Sequence, residues 1–409
     1  MSAMSGQLTR GPVPRDARAG RGDPRILWGL GLGLLGMLLF AVDLYFDATR
    51  AYAAYLTAYA TGLSIALGAL LLVMISHVTD AQWFVVLRRL TETVAGTLPV
   101  FVVLFIPVLL GMRWLYPWVS PSPALDPHVA DLIHKKAAYL NVPSFLLRAA
   151  AYFSVWVGLS FLLRRWSVRQ DTQPSAEWTR RLRAVSAGGL PPLALTLTFA
   201  AIDWLMSLSP EWYSSIFGAY YFGGAMVSAL GLVAVLGLSI RRDAKQHELV
   251  NRTHYHALGN LLLAFVMFWA YMGFSQLLIV WIGDIPDEVS WYVPRVRGSW
   301  GVLGLVLVFG HFALPLFALL WQGIKRRPWL MALLGVWLLL MHWLDIYWLV
   351  IPRVRPQGML MSWVDFAAPL AVGGFALAFG VWQQRAHPVI PVGDPALPKS
   401  LAYETVAPA

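Results

Sequence analysis

The sequence predicts an all-α integral membrane protein of about ten transmembrane helices, and three observations predict it. Of 409 residues, 58% are hydrophobic and only 13% are charged, about half the charge of a soluble domain. Apolar runs of roughly 18 residues or more recur along the whole length, each able to cross a hydrocarbon core of about 30 Å. Lys and Arg gather in alternate connections between those runs. A soluble fold would have to bury nearly every helix on all sides. The net charge of +10 therefore sets orientation in a bilayer and does not indicate a nucleic-acid partner.

The spans predicted from hydropathy are Ile26–Phe46, Tyr55–Ile75, Val94–Tyr116, Ser144–Leu163, Gly188–Leu208, Tyr213–Ile240, Ala257–Ile282, Trp300–Gln322, Trp329–Val350 and Trp363–Gln383. With the N-terminus inside, 22 of the 31 Lys and Arg fall on the inner side, so both termini are expected in the cytoplasm. Residues 1–25 read as a disordered basic cytoplasmic tail, followed by an uncleaved first helix rather than a signal peptide. Residues 26–384 form the membrane domain, and 385–409 a cytoplasmic C-terminal tail. There is no Cys, which excludes iron–sulfur clusters, thiolate zinc and covalently attached haem c on this chain. Asp203 and Pro210 close the fifth span with the separation at which Asp345 and Pro352 close the ninth. That suggests a parallel repeat of spans two to five and six to nine.

Ionisable residues within apolar spans are costly, so each needs a reason. They fall at three depths. Asp43, Arg113, Arg148, Asp203, Asp345 and Asp365 lie in the outer third with Gln276, His311 and His342 near the midplane, and His77, Arg88, Arg89 and Glu92 at the inner edge. One reading is a proton route or quinone pocket through His77, Glu92, Asp203, His311, His342 and Asp345, since a quinol losing electrons must also lose protons. The plainer reading is structural ion pairing among Asp43, Arg113, Arg148 and Asp365 and their neighbours, because a buried charge persists only when partnered. Both stay open. His311 and His342 match in depth, as axial haem ligands would, but nothing flanking them specifies a haem pocket. His342 and Asp345, three residues apart, share a helix face and suit a His–Asp relay.

The stretch His77–Glu92 reads as an amphipathic interfacial helix, with Trp83 at headgroup level and Arg88 and Arg89 facing lipid phosphate. Proton entry through His77 and Glu92 is the alternative. The outer segment Leu125–Asn141, carrying His128, His134, Lys135 and Lys136, is spaced too irregularly for a metal site and suits a partner-contacting loop. Trp114, Trp118, Trp212, Trp281 and Trp291 are expected in membrane belts.

Four strings carry a family resemblance: His77…Trp83…Arg88-Arg89…Glu92; Asp203-Trp-Leu-Met-Ser-Leu-Ser-Pro-Glu-Trp212 through Phe217-Gly-Ala-Tyr220; Phe268-Trp-Ala-Tyr-Met-Gly-Phe-Ser-Gln276 on to Pro286 and Trp291-Tyr292; and Leu344-Asp-Ile-Tyr-Trp-Leu-Val-Ile-Pro352. Together they run through spans two to nine. In them the chain resembles the ActF-type membrane subunit of alternative complex III, a quinol:electron-acceptor oxidoreductase, within the broader NrfD/PsrC-like family. Asp284 departs from the pattern, which has Asn there. The resemblance implies two four-helix bundles, about 55–208 and 213–350, plus two extra helices in a bacterial inner membrane. It implies no catalytic residue, cofactor or metal on this chain; haem c and iron–sulfur clusters would sit in partner subunits, and quinol would be the substrate of the complex. The implied partners are an ActC-like homologous membrane subunit, an iron–sulfur subunit, multihaem and monohaem cytochrome c subunits, small membrane subunits and, as a further candidate, a terminal oxidase. The implied role is scaffolding, with proton conduction in addition. Two other classes compete. A secondary transporter would use helix breaks such as Gly188-Gly-Leu-Pro-Pro192 and Gly223-Gly224; a quinone-reactive cytochrome would carry haem b.

Overall fold

The computed structural model describes residues 23–122, 125–241 and 249–404. Nearly all of the expected N-terminal tail, and the last five residues of the C-terminal one, lie outside the described residues. Among the described residues ten helical segments are long and apolar enough to cross a membrane: Pro24–Phe46, Ala48–Val78, Gln82–Leu110, Val142–Thr172, Ala176–Leu208, Phe217–Ile240, Arg252–Gly283, Gly298–Leu320, Pro328–Val354 and Trp363–Gln384. They are called here the first to tenth spans. No strand occurs among the described residues. The chain is a multi-pass, all-α membrane protein.

Caps fix where several spans begin. Asn141, Ser175 and Asn251 each accept backbone N–H groups at the start of the fourth, fifth and seventh spans, satisfying donors that a helix leaves open. Ser362 and Asp365 form a capping box on the tenth. Asp284, in the left-handed region at φ 47°, ends the seventh, a conformation that Asn and Asp tolerate better than most residues.

The fourth and fifth spans are longer than hydropathy suggests. The expected Arg164–Arg183 loop is instead two helical extensions joined at residues 173–175. Gly188–Pro192 therefore lies inside a continuous helix rather than at its start. Thr196 Oγ donates to the Pro192 carbonyl there at 2.7 Å. The sixth span likewise runs unbroken through Gly223-Gly224.

Small residues set how closely the helices approach. Gly29, Gly33 and Gly36 of the first span face Gly374, Ala371 and Ala378 of the tenth, and a Cβ on Gly36 would lie 2.4 Å from the Ala371 nitrogen. Such contact lets backbones meet where lipid gives no hydrophobic drive. This pair lies outside the two blocks and packs on the second span. Spans two to five pack on one another, as do six to nine. The blocks join along the second and sixth spans, where a Cβ on Gly68 would stand 2.1 Å from the Ala225 carbonyl oxygen. In the second span 78% of the apolar window is buried, against 22% in the seventh. The second span is thus the central pole, and the seventh shows its surface to lipid or a partner.

Span one begins, and span ten ends, on what is called here the proximal face; the opposite face is the distal one. The C-terminal segment does not trail away. Residues 385–404 fold back across the proximal face, with Asp394 paired to Arg88, Gly393 N donating to Asp171 at 3.1 Å, and the Ser400 carbonyl 2.9 Å from His254 Nε2.

Candidate functional site

The ninth span carries His342 and Asp345 one turn apart on its buried face. The eighth supplies His311 by an irregularity. Residues Leu307–Ala313 wind as a π-helix, and Pro315, four residues after His311, has no N–H to return to the His311 carbonyl. The Gly310 carbonyl accepts from Trp337 Nε1 at 2.7 Å. Such widened turns are often found at functional sites.

These residues meet inside the second block. The His311 ring lies 4.0 Å from the Trp269 ring and 6.3 Å from that of His342, between centroids. Trp269 Nε1 donates to one Asp345 carboxylate oxygen at 3.1 Å, and the Tyr220 hydroxyl donates to the other. His342 Nε2 stands 2.7 Å from Ser64 Oγ, on the second span. Gly224 leaves room for the imidazole, since a Cβ there would sit 2.7 Å from His342 Cε1. His311 and His342 are fully buried, and Asp345 is 1% exposed.

Two features mark this cluster. Asp345 is held by neutral donors, with no Lys or Arg in ion-pair range among the described residues. Both ring nitrogens of His311, and Nδ1 of His342, have no hydrogen-bond partner among the described residues. Buried polar atoms are nearly always satisfied, so three open nitrogens beside a carboxyl make a place where water or a proton can be held. Of the four ring nitrogens of the pair, His342 Nε2 alone is engaged, with Ser64. From Ser64, Thr61 and Thr57 continue along the buried second span toward the distal face, each hydroxyl donating to its own helix at 2.7 to 2.9 Å.

The repeat-related aspartate is built differently. Asp203 accepts a two-pronged pair from Arg148, at 2.7 and 3.0 Å, and the Tyr152 hydroxyl at 2.8 Å. Arg148 also lies over Tyr139, 3.8 Å from its ring centre. This site belongs to the first block, and its polar partners come from the fourth span and its preceding loop, not from the cluster around Asp345.

The other outer charges sort unevenly. Asp365 is 3.5 Å from Arg50 and 3.4 Å from the Tyr347 hydroxyl, so it is paired, though by Arg50. Asp43 is buried with its Oδ2 unpartnered. Arg113 corrects the expectation of an ion pair: it is exposed and lies over Trp114 at 3.7 Å. Distal aromatics need a similar correction. Trp118, Trp212 and Trp291 are buried, not in a lipid belt, whereas Trp281 is 75% exposed. Trp212 stacks on Trp291 at 4.2 Å.

The proximal residues overturn the interfacial-helix reading. Arg89 is fully buried and Arg88 6% exposed; neither faces lipid phosphate. Arg89 pairs with Glu92 at 3.1 Å and with Asp171 at 2.8 Å, and Arg88 with Asp394. The polar face meets another polar face, supplied by the extended fourth span and the C-terminal segment. His77 is also buried, with Nε2 unpartnered. His77 and Glu92 do not join the midplane cluster: on one helix, thirteen residues separate His77 from Ser64, about 20 Å of rise.

In the outer segment Pro127–Lys135 is a helix, and His128 reaches Asp287 of the second block at 3.0 Å. That hydrogen bond holds the His128 pKa above its ordinary value. Among the described residues no three His, Asp or Glu side chains are grouped to hold a metal. No family model matches the chain, and no curated protein sequence matches it.

Proposed function

We propose that this chain is a membrane subunit of a respiratory quinol-oxidising complex of the alternative complex III kind, lying in the bacterial inner membrane with its basic proximal face in the cytoplasm. Its redox centres reside in partner subunits, and its own contribution is scaffolding together with a proton-holding element in the second block. The observation that carries the proton role is the pairing of Asp345 with Tyr220 and Trp269 beside the open nitrogens of His311 and His342. A buried carboxyl without a cation beside it is expensive unless it is used, whereas at Asp203 the same fold supplies Arg148. His342, Ser64, Thr61 and Thr57 offer a polar row toward the distal face. Toward Glu92 and His77, waters must bridge about 20 Å.

The complex is tested by purification in mild detergent with mass spectrometry of the accompanying chains; recovery of the chain without any cytochrome or iron–sulfur subunit removes the respiratory assignment. The proton role is tested in proteoliposomes of the intact assembly. Asp345→Asn lowers the protons moved per quinol oxidised while subunit composition is unchanged. An unaltered ratio would mean the cluster is structural.

A further inference from the structure

A cavity of about 460 Å³ opens on the distal side between the 135–140 segment and the end of the fifth span. Its two ends differ in chemistry. At one, Lys136 is half-buried, donates to the Pro210 carbonyl at 2.6 Å and lies 5.9 Å from the Tyr213 ring centre. At the other, Ile202 and Met206 line the wall. They continue a stripe on the fifth span through Phe199 and Leu195, which are 42% and 60% exposed. Positions 195, 199, 202 and 206 share one helix face, so the cavity drains onto a surface that only acyl chains or a partner can cover.

We propose that this cavity binds one anionic phospholipid of the distal leaflet, with its phosphate at Lys136 and its acyl chains along the Leu195–Met206 stripe. Charge complementarity selects an anion. The neighbouring carboxylate Glu211 lies 3.7 Å from Arg353, and Lys135 is held by Asp131 at 2.6 Å, which leaves Lys136, of the two lysines lining the cavity, without a carboxylate in ion-pair range among the described residues. Burial lowers its pKa, which an arriving phosphate would reverse. The size suits a headgroup and the first methylenes, within the usual range of ligand sites. The proposal requires nothing of the proton cluster.

The test is native mass spectrometry of the full chain, with whatever subunits accompany it, after delipidation and addition of phosphatidylglycerol or phosphatidylcholine of equal chain length. Phosphatidylglycerol is retained preferentially, and Lys136→Gln weakens its retention roughly fivefold, the worth of one lysine beside an anionic lipid. Ala138→Trp, at the exposed mouth, blocks both lipids with the lysine intact and decides the matter if the lysine variant fails to fold. Equal retention of the two lipids, a preference that survives Lys136→Gln, or retention unchanged in Ala138→Trp would overturn the proposal. Displacement by inorganic phosphate alone would assign the cation to a soluble anion, and displacement by a quinone analogue would assign the cavity to a different ligand; either overturns it.

Discussion

Replacing Asp203 with Asn removes the anion from a site where Arg148 has been drawn into the protein, its side chain 19% exposed and that of Asp203 0%. The amide oxygen can still accept from Tyr152, but the amide nitrogen turns a donor toward the guanidinium. Breaking a buried pair from one side costs about 3–5 kcal/mol. Because Arg148 retains the Tyr139 ring and carbonyl, the loss falls at about 3 kcal/mol. The double variant Arg148→Met, Asp203→Asn leaves no stranded charge, and buried pairs replaced by apolar groups are often neutral. It recovers about 2 kcal/mol relative to additivity, roughly thirtyfold in the unfolding equilibrium. The assay is unfolding in mixed micelles followed by Trp fluorescence, with proton movement measured in parallel. Proton movement per quinol is unchanged by either variant. Additive losses in the double variant, or lost proton movement in Asp203→Asn, would refute the division between a structural aspartate in the first block and a working one in the second.

Three other outcomes follow from the geometry. Gly36→Ala drives a methyl to 2.4 Å from the Ala371 nitrogen, whereas a Cβ on Gly31 meets nothing within 4 Å; the first destabilises by about 1–3 kcal/mol and Gly31→Ala does not, as read by the same unfolding assay. Arg295 donates to the Trp291, Trp348 and Leu349 carbonyls at 2.6, 3.3 and 2.8 Å, and the Trp348 carbonyl has no helical partner because Pro352 lacks an N–H. Arg295→Met strands the Trp348 carbonyl at about 1–3 kcal/mol, and Arg295→Lys does not restore the three donations, since an ammonium lacks the fork. The raised His128 pKa makes its contact with Asp287 fully effective below the ordinary histidine value and lost as pH rises through the folded one. Hydrogen exchange in Pro127–Lys135, corrected for intrinsic base catalysis, therefore accelerates as pH rises through the raised His128 value, and His128→Gln abolishes that step.

Hydropathy made the ten spans legible because a bilayer demands apolar length regardless of what the helices later touch. It erred where a helix outruns the bilayer. The arginines of 164–183 looked like a loop because charge marks the membrane edge, although Ser175 and Glu177 signal a helix start. Arg88 and Arg89 were misread for a different reason. An amphipathic pattern states that one face is polar, not what it meets, and here the partners Asp171 and Asp394 are far away in sequence. The depth of His311 and His342 and the shared face of His342 and Asp345 were readable from helix rise and period. Ser64, Tyr220 and Trp269 were missed as site residues, since a hydroxyl or an indole in a span is common and their convergence exists only in three dimensions. Pro315 was the one local sign of the π-helix.

The contact between Ser64 and His342 crosses the seam between the two blocks, and the seam explains why that matters. Ser64 lies one helical turn from Gly68, where the second span meets Ala225 of the sixth almost backbone to backbone. Gly224, beside Ala225, is the residue that admits the His342 ring. Any sliding of one block on the other therefore moves the serine against the glycine and the imidazole, which both belong to the second block. A close-packed seam of this kind has few intermediate positions, because interiors at crystal-like density deform poorly. The hydrogen bond at His342 Nε2 is consequently either made or broken by relative movement of the blocks, while Asp345 keeps Tyr220 and Trp269, which belong to its own block. The seam is thus the place where a shape change imposed on one block would alter the cluster around His342 and Asp345 in the other.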